Sequence, residues 1–251
     1  MDNNLNKKDT WIPTPRYLCR KDVVLSFLDN IEHGKFLEVG MGSGDLILDL
    51  AKRKYEGMGT DLADKSVQMA REKLKNIDSK IRVEKKDLFD IIGSFDIVII
   101  LEVIEHIEDD KKALKKIYEL LNKGGHLIIS APAHKKDWSF ASDELAGHYR
   151  RYEKNGIKSK LEEVGFRVLK LYNYGFPIAN IAAPIRNYLM IKDHSSGKYE
   201  KMNTIQSGTD RNSQKKFAFL INSFTMAPFL FLQKFFFDKD WGDGYIALAK
   251  K

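Results

Sequence analysis

The sequence has few of the features that exported or membrane-spanning proteins carry. It contains a single cysteine, Cys19, among 251 residues, which excludes an internal disulfide framework and fits a reducing cytoplasm. Residues 1–10 are polar and contain no apolar signal core, so we expect no export. We therefore predict a cytoplasmic protein, and only one apolar segment, described below, leaves membrane association open.

The chain also has no dense block of basic residues, although its formal net charge is +7. Such a charge fits anionic substrates, a membrane surface or nucleic acid, but the lysines are spread along predicted helix faces, as on a solvated surface. No RNA-binding module is recognisable, so we expect no nucleic-acid partner. The 43% hydrophobic and 31% charged residues are typical of a globular protein, and the length fits one α/β domain with an elaboration.

A glycine-rich turn is the most informative segment that is present. An apolar run containing Glu38 ends in Gly40, Gly42 and Gly44, and a helix-forming segment follows. This pattern predicts a parallel strand that turns tightly beneath a nucleotide-like ligand, because side chains at these glycines would block its approach to the backbone. The turn also fits a nicotinamide-dinucleotide site. Glu38 favours a ligand with a positive amino group, since dinucleotide enzymes usually keep this strand apolar.

Strands and helices then alternate as far as Ser130, which predicts a doubly wound parallel sheet of the α/β class. Three of the predicted strands end in an acid: Asp61, Asp87 and Glu102. Asp61 is well placed to accept hydrogen bonds from two ribose hydroxyls, and Asp87 from an adenine amino group. Open α/β sheets bind ligands at the carboxyl ends of their strands, so the sequence predicts a ligand site at this edge.

The glycine turn and the strand-end acids follow one another in the order found in the class I S-adenosylmethionine-dependent methyltransferases. The chain resembles this family over roughly residues 16–174 plus the last strand. The resemblance implies a seven-stranded Rossmann-like sheet, with S-adenosyl-L-methionine as the cofactor. It implies that Glu38 and the glycine turn hold the methionine part, and that two leucines sandwich the adenine. The predicted cofactor-binding residues are Glu38, Gly40, Gly42, Gly44, Asp61, Leu62, Asp87, Leu88 and Glu102.

Glu102, Glu105 and His106 follow the fourth predicted strand at positions i, i+3 and i+4, so on one helical turn they would share a face. Ubiquinone-type O-methyltransferases and small-RNA ribose methyltransferases have a similar pattern, which in some members binds a divalent metal. By this resemblance the three residues, with His148 as a fourth ligand, would hold Mg²⁺, Mn²⁺ or Zn²⁺ and lower the pKa of a substrate hydroxyl. Two alternatives stay open. His106 or His148 acts as a metal-free catalytic base, or Glu105 and His106 only cap and pack a turn.

The block Gly147–Tyr152 (GHYRRY) is similar to a segment of bacterial methyltransferases that act in glycan, lipid or secondary-metabolite assembly. The resemblance assigns Tyr149, Arg150 and Arg151 to the substrate. The two guanidinium forks match a carboxylate or phosphate. The alternative is that these arginines pair with acids of the protein itself.

Arg16 and Tyr17 begin the first predicted helix, after a proline-stiffened segment. In related methyltransferases such a helix often covers the cofactor. These two residues are therefore predicted to contact the cofactor carboxylate or the substrate, and plain packing of the helix on the sheet is the alternative.

A long insert separates the last two predicted strands, where the family pattern has a short connection. It contains two apolar segments around a polar stretch, residues 192–216, and the second apolar segment is residues 217–237. Three roles stay open: a cap on the substrate pocket, which we favour, a dimer surface, or a membrane or lipid contact. We predict a tail and cofactor-covering helix (1–34), a Rossmann-like core (35–175 plus 241–251) and a helical, aromatic-rich insert (176–240).

The function predicted from the sequence is S-adenosylmethionine-dependent O-methylation of a small, apolar or lipid- or glycan-linked metabolite. The alternatives are a metal-dependent RNA ribose 2′-O-methyltransferase and a non-catalytic cofactor-binding or membrane-recruited regulator. The expected partner is a small-molecule or lipid-like acceptor, and peripheral membrane contact and a homodimer stay open.

Overall fold

A mixed β-sheet forms the centre of the computed structural model, which describes residues 11–195 and 223–251. The strands are β1 (Phe36–Val39), β2 (Gly57–Asp61), β3 (Ile81–Lys85), β4 (Phe95–Leu101), β5 (Leu121–Pro132), β6 (Arg167–Tyr174) and β7 (Gly244–Lys250). Their order in the seven-stranded sheet is β3-β2-β1-β4-β5-β7-β6. β1 to β5 are parallel, and β7 runs antiparallel between β5 and β6. The predicted doubly wound, seven-stranded sheet is confirmed.

Helices cover both faces of this sheet. The described helices are α1 (Pro15–Leu28), α2 (Asp45–Lys52), α3 (Asp64–Leu74), α4 (Asp110–Leu120), α5 (Lys154–Val164), α6 (Ile178–Ser195) and α7 (Ser223–Gln233). Alternate strand residues point to opposite faces, so Ile97 and Ile99 of β4 pack with α1, α2 and α3, whereas Val98 and Ile100 pack with α4 and α5. The two apolar layers hold the carboxyl ends of β1 to β4 in register.

One predicted helix end differs from the structure. In the sequence, the glycine pair Gly124 and Gly125 between a helical and an apolar segment predicts a helix stop before the fifth strand, but α4 already ends at Leu120 and Leu121 is extended. The glycines lie inside β5, where its register against β4 shifts. Gly124 has a φ of +81°, and a Cβ on Gly125 would lie 3.0 Å from the Asp96 carbonyl oxygen. The pair therefore accommodates an irregularity in the strand. Gly165, which the sequence also predicts as a helix stop, does end α5.

The insert contributes α6 and α7, one from each predicted apolar segment. α7 packs against α1: Met226 is buried in the same apolar layer, and Gln233 donates from Nε2 to the Cys19 carbonyl at 3.1 Å. The Gln233 Oε1 also accepts from the Gly175 amide at 3.3 Å. α7 is thus tied to α1 and to the chain after β6.

The predicted polar stretch lies outside the described residues, apart from its start at the end of α6, and so does the start of the second apolar segment. None of the helices within residues 11–195 and 223–251 is both long and apolar enough to cross a membrane. The division into three regions, the dimer surface and the membrane contact stay predictions.

Candidate functional site

A cavity of about 520 Å³ opens at the carboxyl ends of β1 to β4. This volume lies within the range of small-molecule sites. Most of the predicted site residues line it, namely Arg16, Tyr17, Glu38, Gly40, Gly42, Asp61, Leu62, Asp87, Leu88, Glu102, Glu105, His106 and His148. Gly44, Tyr149, Arg150 and Arg151 do not line this cavity.

The glycine turn forms one wall of the cavity. Gly40, Gly42 and Gly44 have φ angles of +72°, +54° and +72°, a left-handed conformation that side chains disfavour. Gly44 is also packed closely, because a Cβ there would lie 2.5 Å from the Ala70 Cβ. A Cβ on Gly42 would meet nothing within 4 Å and would project into open space at the cavity. Gly44 therefore serves the fold, whereas Gly42 leaves the backbone open to a ligand.

Asp61 holds this turn in place. Its Oδ2 accepts from the Gly42 amide and its Oδ1 from the Ala63 amide, both at 2.9 Å. Burial raises the pKa of Asp61, and these amide hydrogen bonds oppose that shift. Ser66 and the Leu62 amide also act on this carboxylate, which lines the cavity.

Two leucines and an aspartate line the next part of the cavity. Leu62 is 40% exposed although it is apolar, whereas Leu88 is 4% exposed. Asp87 accepts from the Phe89 amide at 2.8 Å and so caps the 3₁₀ turn that contains Leu88. An apolar, planar ligand group would cover the exposed Leu62 side chain.

Glu38 is a buried acid with an unsatisfied oxygen. Its side chain lies in β1 at 4% exposure, and Oε2 has no hydrogen-bond partner among residues 11–195 and 223–251. Burial raises the pKa of Glu38 to about 8, although Arg20 acts against this shift. A buried carboxylate needs a cation or a proton, so this position suits the positive amino group of the predicted ligand.

Arg20 is a cavity residue that the sequence interpretation missed. Its Nε is buried without a hydrogen-bond partner in the described part of the chain, and its Nη1 lies 3.6 Å from the Glu102 Oε1. Arg20 is one helical turn after Arg16, so the i, i+4 spacing is the signal that could have identified it. A cationic Arg20 and an acidic Glu38 thus lie on the cavity wall, which matches the carboxylate and ammonium of an amino-acid group, because a bound ammonium favours ionisation of Glu38.

Arg16 and Tyr17 are already engaged with the protein. Arg16 bonds to Glu102 through Nη1 and to the Asp243 carboxylate through Nε at 2.9 Å. The Tyr17 hydroxyl donates to Asp45 at 3.0 Å. Both side chains still line the cavity, but Arg20 has the guanidinium atom that lacks a partner.

Glu102 differs from its predicted place in a metal site. Its carboxylate accepts from Arg16, from the Ser130 hydroxyl at 2.9 Å and from the Tyr174 hydroxyl at 3.0 Å. Burial opposes its ionisation, but Arg16 and Arg20 outweigh that effect and hold the pKa of Glu102 at about 2. Its backbone is left-handed, with a φ of +56°. Glu102 is thus directed to the arginines and is outside the group that the other three predicted ligands form.

Glu105, His106 and His148 do come together. Each offers one ligand atom, and these atoms all lie within 4.8 Å of one another. Glu105 is fully buried, and neither of its carboxylate oxygens has a hydrogen-bond partner among the described residues. Burial, followed by the charge of Glu102, raises the pKa of Glu105 well above its usual range.

The two histidines have defined hydrogen bonds at Nδ1. His106 Nδ1 lies 3.3 Å from the Gly147 carbonyl oxygen, and His148 Nδ1 lies 2.9 Å from the Asp143 Oδ1. Because both partners are acceptors, we assign the proton to Nδ1 and a lone pair to Nε2 in each ring. Burial and the neighbouring His148 lower the pKa of His106 to about 4, so His106 is neutral at physiological pH.

Asp143 is a second residue without a role in the sequence interpretation. It lies on the π-helical turn Phe140–Glu144 and is fully buried. Arg151 donates to its two oxygens from Nε at 2.7 Å and from Nη2 at 2.8 Å. Burial raises the pKa of Asp143, but the bonds from His148 and Arg151 outweigh this effect and hold it well below its usual range. Arg151 therefore orients the acid that orients His148.

Tyr149 and Arg150 lie outside the cavity, contrary to the predicted substrate role. The Arg150 guanidinium pairs with Asp110 at 3.0 Å and donates to the Glu108 carbonyl oxygen at 2.5 Å. Tyr149 is 54% exposed. Arg150 and Arg151 both pair with acids of the protein, Asp110 and Asp143. This was the alternative to a substrate-binding role.

Comparisons with known proteins agree with this geometry. The methyltransferase domain family matches residues 13–171. The ubiquinone biosynthesis O-methyltransferase of Alkalilimnicola ehrlichii is 30% identical over 115 residues, which cover 44% of this chain and 47% of that protein. The mitochondrial enzyme of the same name from Saccharomyces cerevisiae is 30% identical over 128 residues, covering 46% and 41%. The chain thus spans about half the length of the curated relatives it matches.

A solved structure extends the similarity to the whole fold. The N-methyltransferase NodS from Bradyrhizobium japonicum WM9, in complex with S-adenosyl-L-homocysteine, superposes with a TM-score of 0.60 at 15% identity. The superposition covers 98% of this chain and 94% of that one, and at this identity it supports the fold alone. The family match extends over more than half of the chain. The chain therefore belongs to the methyltransferase domain family, which confirms the predicted resemblance to class I S-adenosylmethionine-dependent methyltransferases.

Proposed function

We propose that the protein transfers the methyl group of S-adenosylmethionine to a hydroxyl oxygen of a small acceptor. The observation that carries this proposal is the group of Glu105, His106 and His148 on the wall of the cavity that also contains Glu38 and Asp61. Such a group can hold a hydroxyl and accept its proton. The relatives named ubiquinone biosynthesis O-methyltransferases support oxygen as the methyl acceptor.

In this proposal the cofactor lies across the ends of β1, β2 and β3. Glu38 accepts the ammonium group and Arg20 the carboxylate of its methionine part. Asp61 accepts from the ribose hydroxyls, while Leu62 and Leu88 contact the adenine beside Asp87. Two buried atoms support this arrangement, the Glu38 Oε2 and the Arg20 Nε. Neither has a hydrogen-bond partner among the residues that the structure describes.

Methyl transfer from a sulfonium is an in-line displacement in which the cofactor carries the leaving group. The protein has to place the acceptor oxygen in line with the methyl group and remove the hydroxyl proton. His148 is suited to take this proton at Nε2. Its Nδ1 lies 2.9 Å from the Asp143 Oδ1, which accepts the Nδ1 proton and stabilises the ring once it is charged. His106 lies beside it, with ring centroids 4.7 Å apart.

The same three residues also fit a divalent metal. Glu105 has two buried oxygens without partners, and each histidine has an Nε2 lone pair, so the set is carboxylate and imidazole, as Zn²⁺ or Mn²⁺ would accept. The Gly147 carbonyl and Asp143 would orient the two rings from behind. Such a metal would act as a Lewis acid that lowers the pKa of the acceptor hydroxyl.

Calorimetry and metal analysis test this proposal together. S-adenosylmethionine and S-adenosylhomocysteine are titrated into the protein with and without Mg²⁺, Mn²⁺ or Zn²⁺, and Glu105→Gln is compared with Glu119→Gln, an exposed acid on α4. We expect cofactor binding in all three proteins. The metal site is supported if the native protein and Glu119→Gln bind metal and Glu105→Gln does not. If none of the three proteins binds metal, the result favours His148 as the base.

Methyl transfer is then measured by mass spectrometry with catechol and 2-aminophenol as acceptors. We expect the methyl group on oxygen in both products. A product methylated only on nitrogen would contradict the proposed acceptor atom, and absence of cofactor binding would contradict the methyltransferase function itself.

The position of the insert supports a small acceptor. Arg186 and Met190 of α6 line the same cavity of about 520 Å³, so the insert bounds the space that is open to the acceptor. This position fits the cap that we favoured for the insert. The RNA ribose methyltransferase and the non-catalytic regulator remain alternatives, and transfer to either small acceptor above would exclude the regulator.

A further inference from the structure

The insert helix α6 adds one charged side chain to the cavity. Arg186 and Met190 both line the cavity and are four residues apart on α6, so they share a face of the helix. α6 packs against α1 and against the π-helical turn that contains Asp143. α6 is therefore held against the helix that carries Arg20 and against the turn that carries Asp143, the partner of His148.

Arg186 differs from the other arginines near the site, because it has no acidic partner among the side chains that the structure describes. Among the residues whose side chains the structure describes (11–192 and 225–251), no carboxylate lies within 4.0 Å of its guanidinium, and its hydrogen bond there goes from Nε to the neighbouring Asn187 Oδ1 at 3.3 Å. Arg16, Arg150 and Arg151 all have a carboxylate at 3.0 Å or less. The predicted anion-binding arginines are thus paired with acids of the protein, whereas in the described part of the chain no acid pairs with Arg186.

The surroundings of Arg186 add to this imbalance. Burial lowers the pKa of its guanidinium, and the charges of Arg16 and Arg151 lower it further, while Asp243 and Asp143 act in the opposite direction. Those two acids already pair with Arg16 and Arg151. An arginine keeps its charge in proteins, so the cost of a half-buried guanidinium persists until an anion binds to it.

We propose that Arg186 and Met190 form the recognition subsite for the acceptor, and that the acceptor carries a carboxylate or phosphate beside an apolar group. This inference rests on the proposed methyltransferase function. The guanidinium fork matches either anion in a bidentate geometry. The flexible thioether of Met190 adapts to the apolar part next to it. The subsite selects acceptors by charge, whereas Glu105, His106 and His148 act on the hydroxyl.

Binding of three matched phenols tests the subsite. The protein is first loaded with S-adenosylhomocysteine, and 4-hydroxybenzoate, 4-hydroxyphenyl phosphate and the neutral 4-hydroxybenzyl alcohol are then titrated by calorimetry. We expect at least one anion to bind at least tenfold more tightly than the alcohol, and the stronger anion identifies the group on the acceptor. Arg186→Gln should abolish this preference without changing the affinity for the alcohol or for S-adenosylhomocysteine.

Two further variants complete the design. Lys192→Gln removes one positive charge from an exposed position of the same helix and should leave the anion preference intact. Arg186→Lys keeps the charge but loses the fork, so it should weaken anion binding at least threefold. This variant carries the test if Arg186→Gln does not fold.

The proposal is overturned if neither anion binds, if the alcohol binds as tightly as the anions, or if the preference survives Arg186→Gln. Failure of the proposed function is distinguishable, because the first titration would then show no binding of S-adenosylhomocysteine. Binding of S-adenosylhomocysteine without any anion preference contradicts the subsite alone.

Discussion

Glu38→Gln is expected to stabilise the free protein and to weaken cofactor binding. The pKa of Glu38 is raised from 4.5 to about 8 by burial, so the folded protein binds more protons than the unfolded chain between these two values. Stability therefore falls as pH rises through this window. At 1.36 kcal/mol per pKa unit, the loss between pH 5 and pH 8 amounts to about 3 kcal/mol.

Glutamine has nearly the same shape and does not ionise, so Glu38→Gln should remove this pH dependence. The free energies of unfolding of both proteins are measured in urea at pH 5, 6, 7 and 8. The advantage of the variant should grow by about 3 kcal/mol from pH 5 to pH 8. A difference that stays constant with pH would refute the reasoning, because it would mean that Glu38 is not a buried acid with a raised pKa.

A second experiment measures how cofactor binding changes the protonation of the Glu38 carboxyl group. An ammonium ion beside Glu38 favours the ionised form, so binding at pH 7 should release up to one proton, measurable by calorimetry in buffers with different ionisation enthalpies. Glu38→Gln should release none at this site and should bind the cofactor more weakly by roughly 1–3 kcal/mol. Glu119→Gln, with its exposed side chain, serves as the control in both experiments.

The other residues around the site give three further predictions. Asp61→Ala should weaken cofactor binding by roughly 1–3 kcal/mol in calorimetry; unchanged affinity would contradict the ribose assignment. Arg151→Ala leaves Asp143 buried without its guanidinium, so the free energy of unfolding in urea should fall by about 3–5 kcal/mol; a loss below 1 kcal/mol would mean that the pair is not buried. Gly44→Ala should lower the melting temperature more than Gly42→Ala, because both residues have a left-handed backbone but only the Cβ on Gly44 would meet Ala70. Gly42→Ala should in addition weaken cofactor binding, and equal losses of melting temperature would contradict the distinction.

The sequence was sufficient to predict the sheet because its signals are local. The apolar run that forms β1 is followed directly by the turn glycines, and an acid lies at or just after the end of β2 and of β3. Rules of chain connection then determine the topology, so the position of the cavity follows from the motif order. The end of α4, which the sequence misplaced, shows the limit of this approach. A glycine pair such as Gly124 and Gly125 occurs both at helix ends and in irregular strands, and the sequence alone does not distinguish the two.

The partners of the charged side chains could not be predicted in this way. Arg16 meets Asp243 across 227 positions of sequence and Glu102 across 86, and no local pattern encodes such pairs. Arg150 and Arg151 are adjacent in the sequence but pair with different acids, Asp110 and Asp143. Which arginine stays free for a substrate is therefore decided by tertiary packing, and the sequence contains only the candidates.

The distribution of unsatisfied polar atoms supports one site with several ligand groups. In the part of the chain that the structure describes, the buried side-chain atoms without hydrogen-bond partners belong to Trp11, Arg20, Glu38 and Glu105. All four residues line the same cavity. Folded proteins leave few such atoms unpaired, and a functional site is the usual reason where they do. Because each of these atoms costs free energy until it is paired, binding of cofactor and acceptor should stabilise the fold beyond what cofactor alone provides. A melting temperature that rises with S-adenosylhomocysteine, and rises again with the anionic phenol, would show that the acceptor binds to the folded protein together with the cofactor.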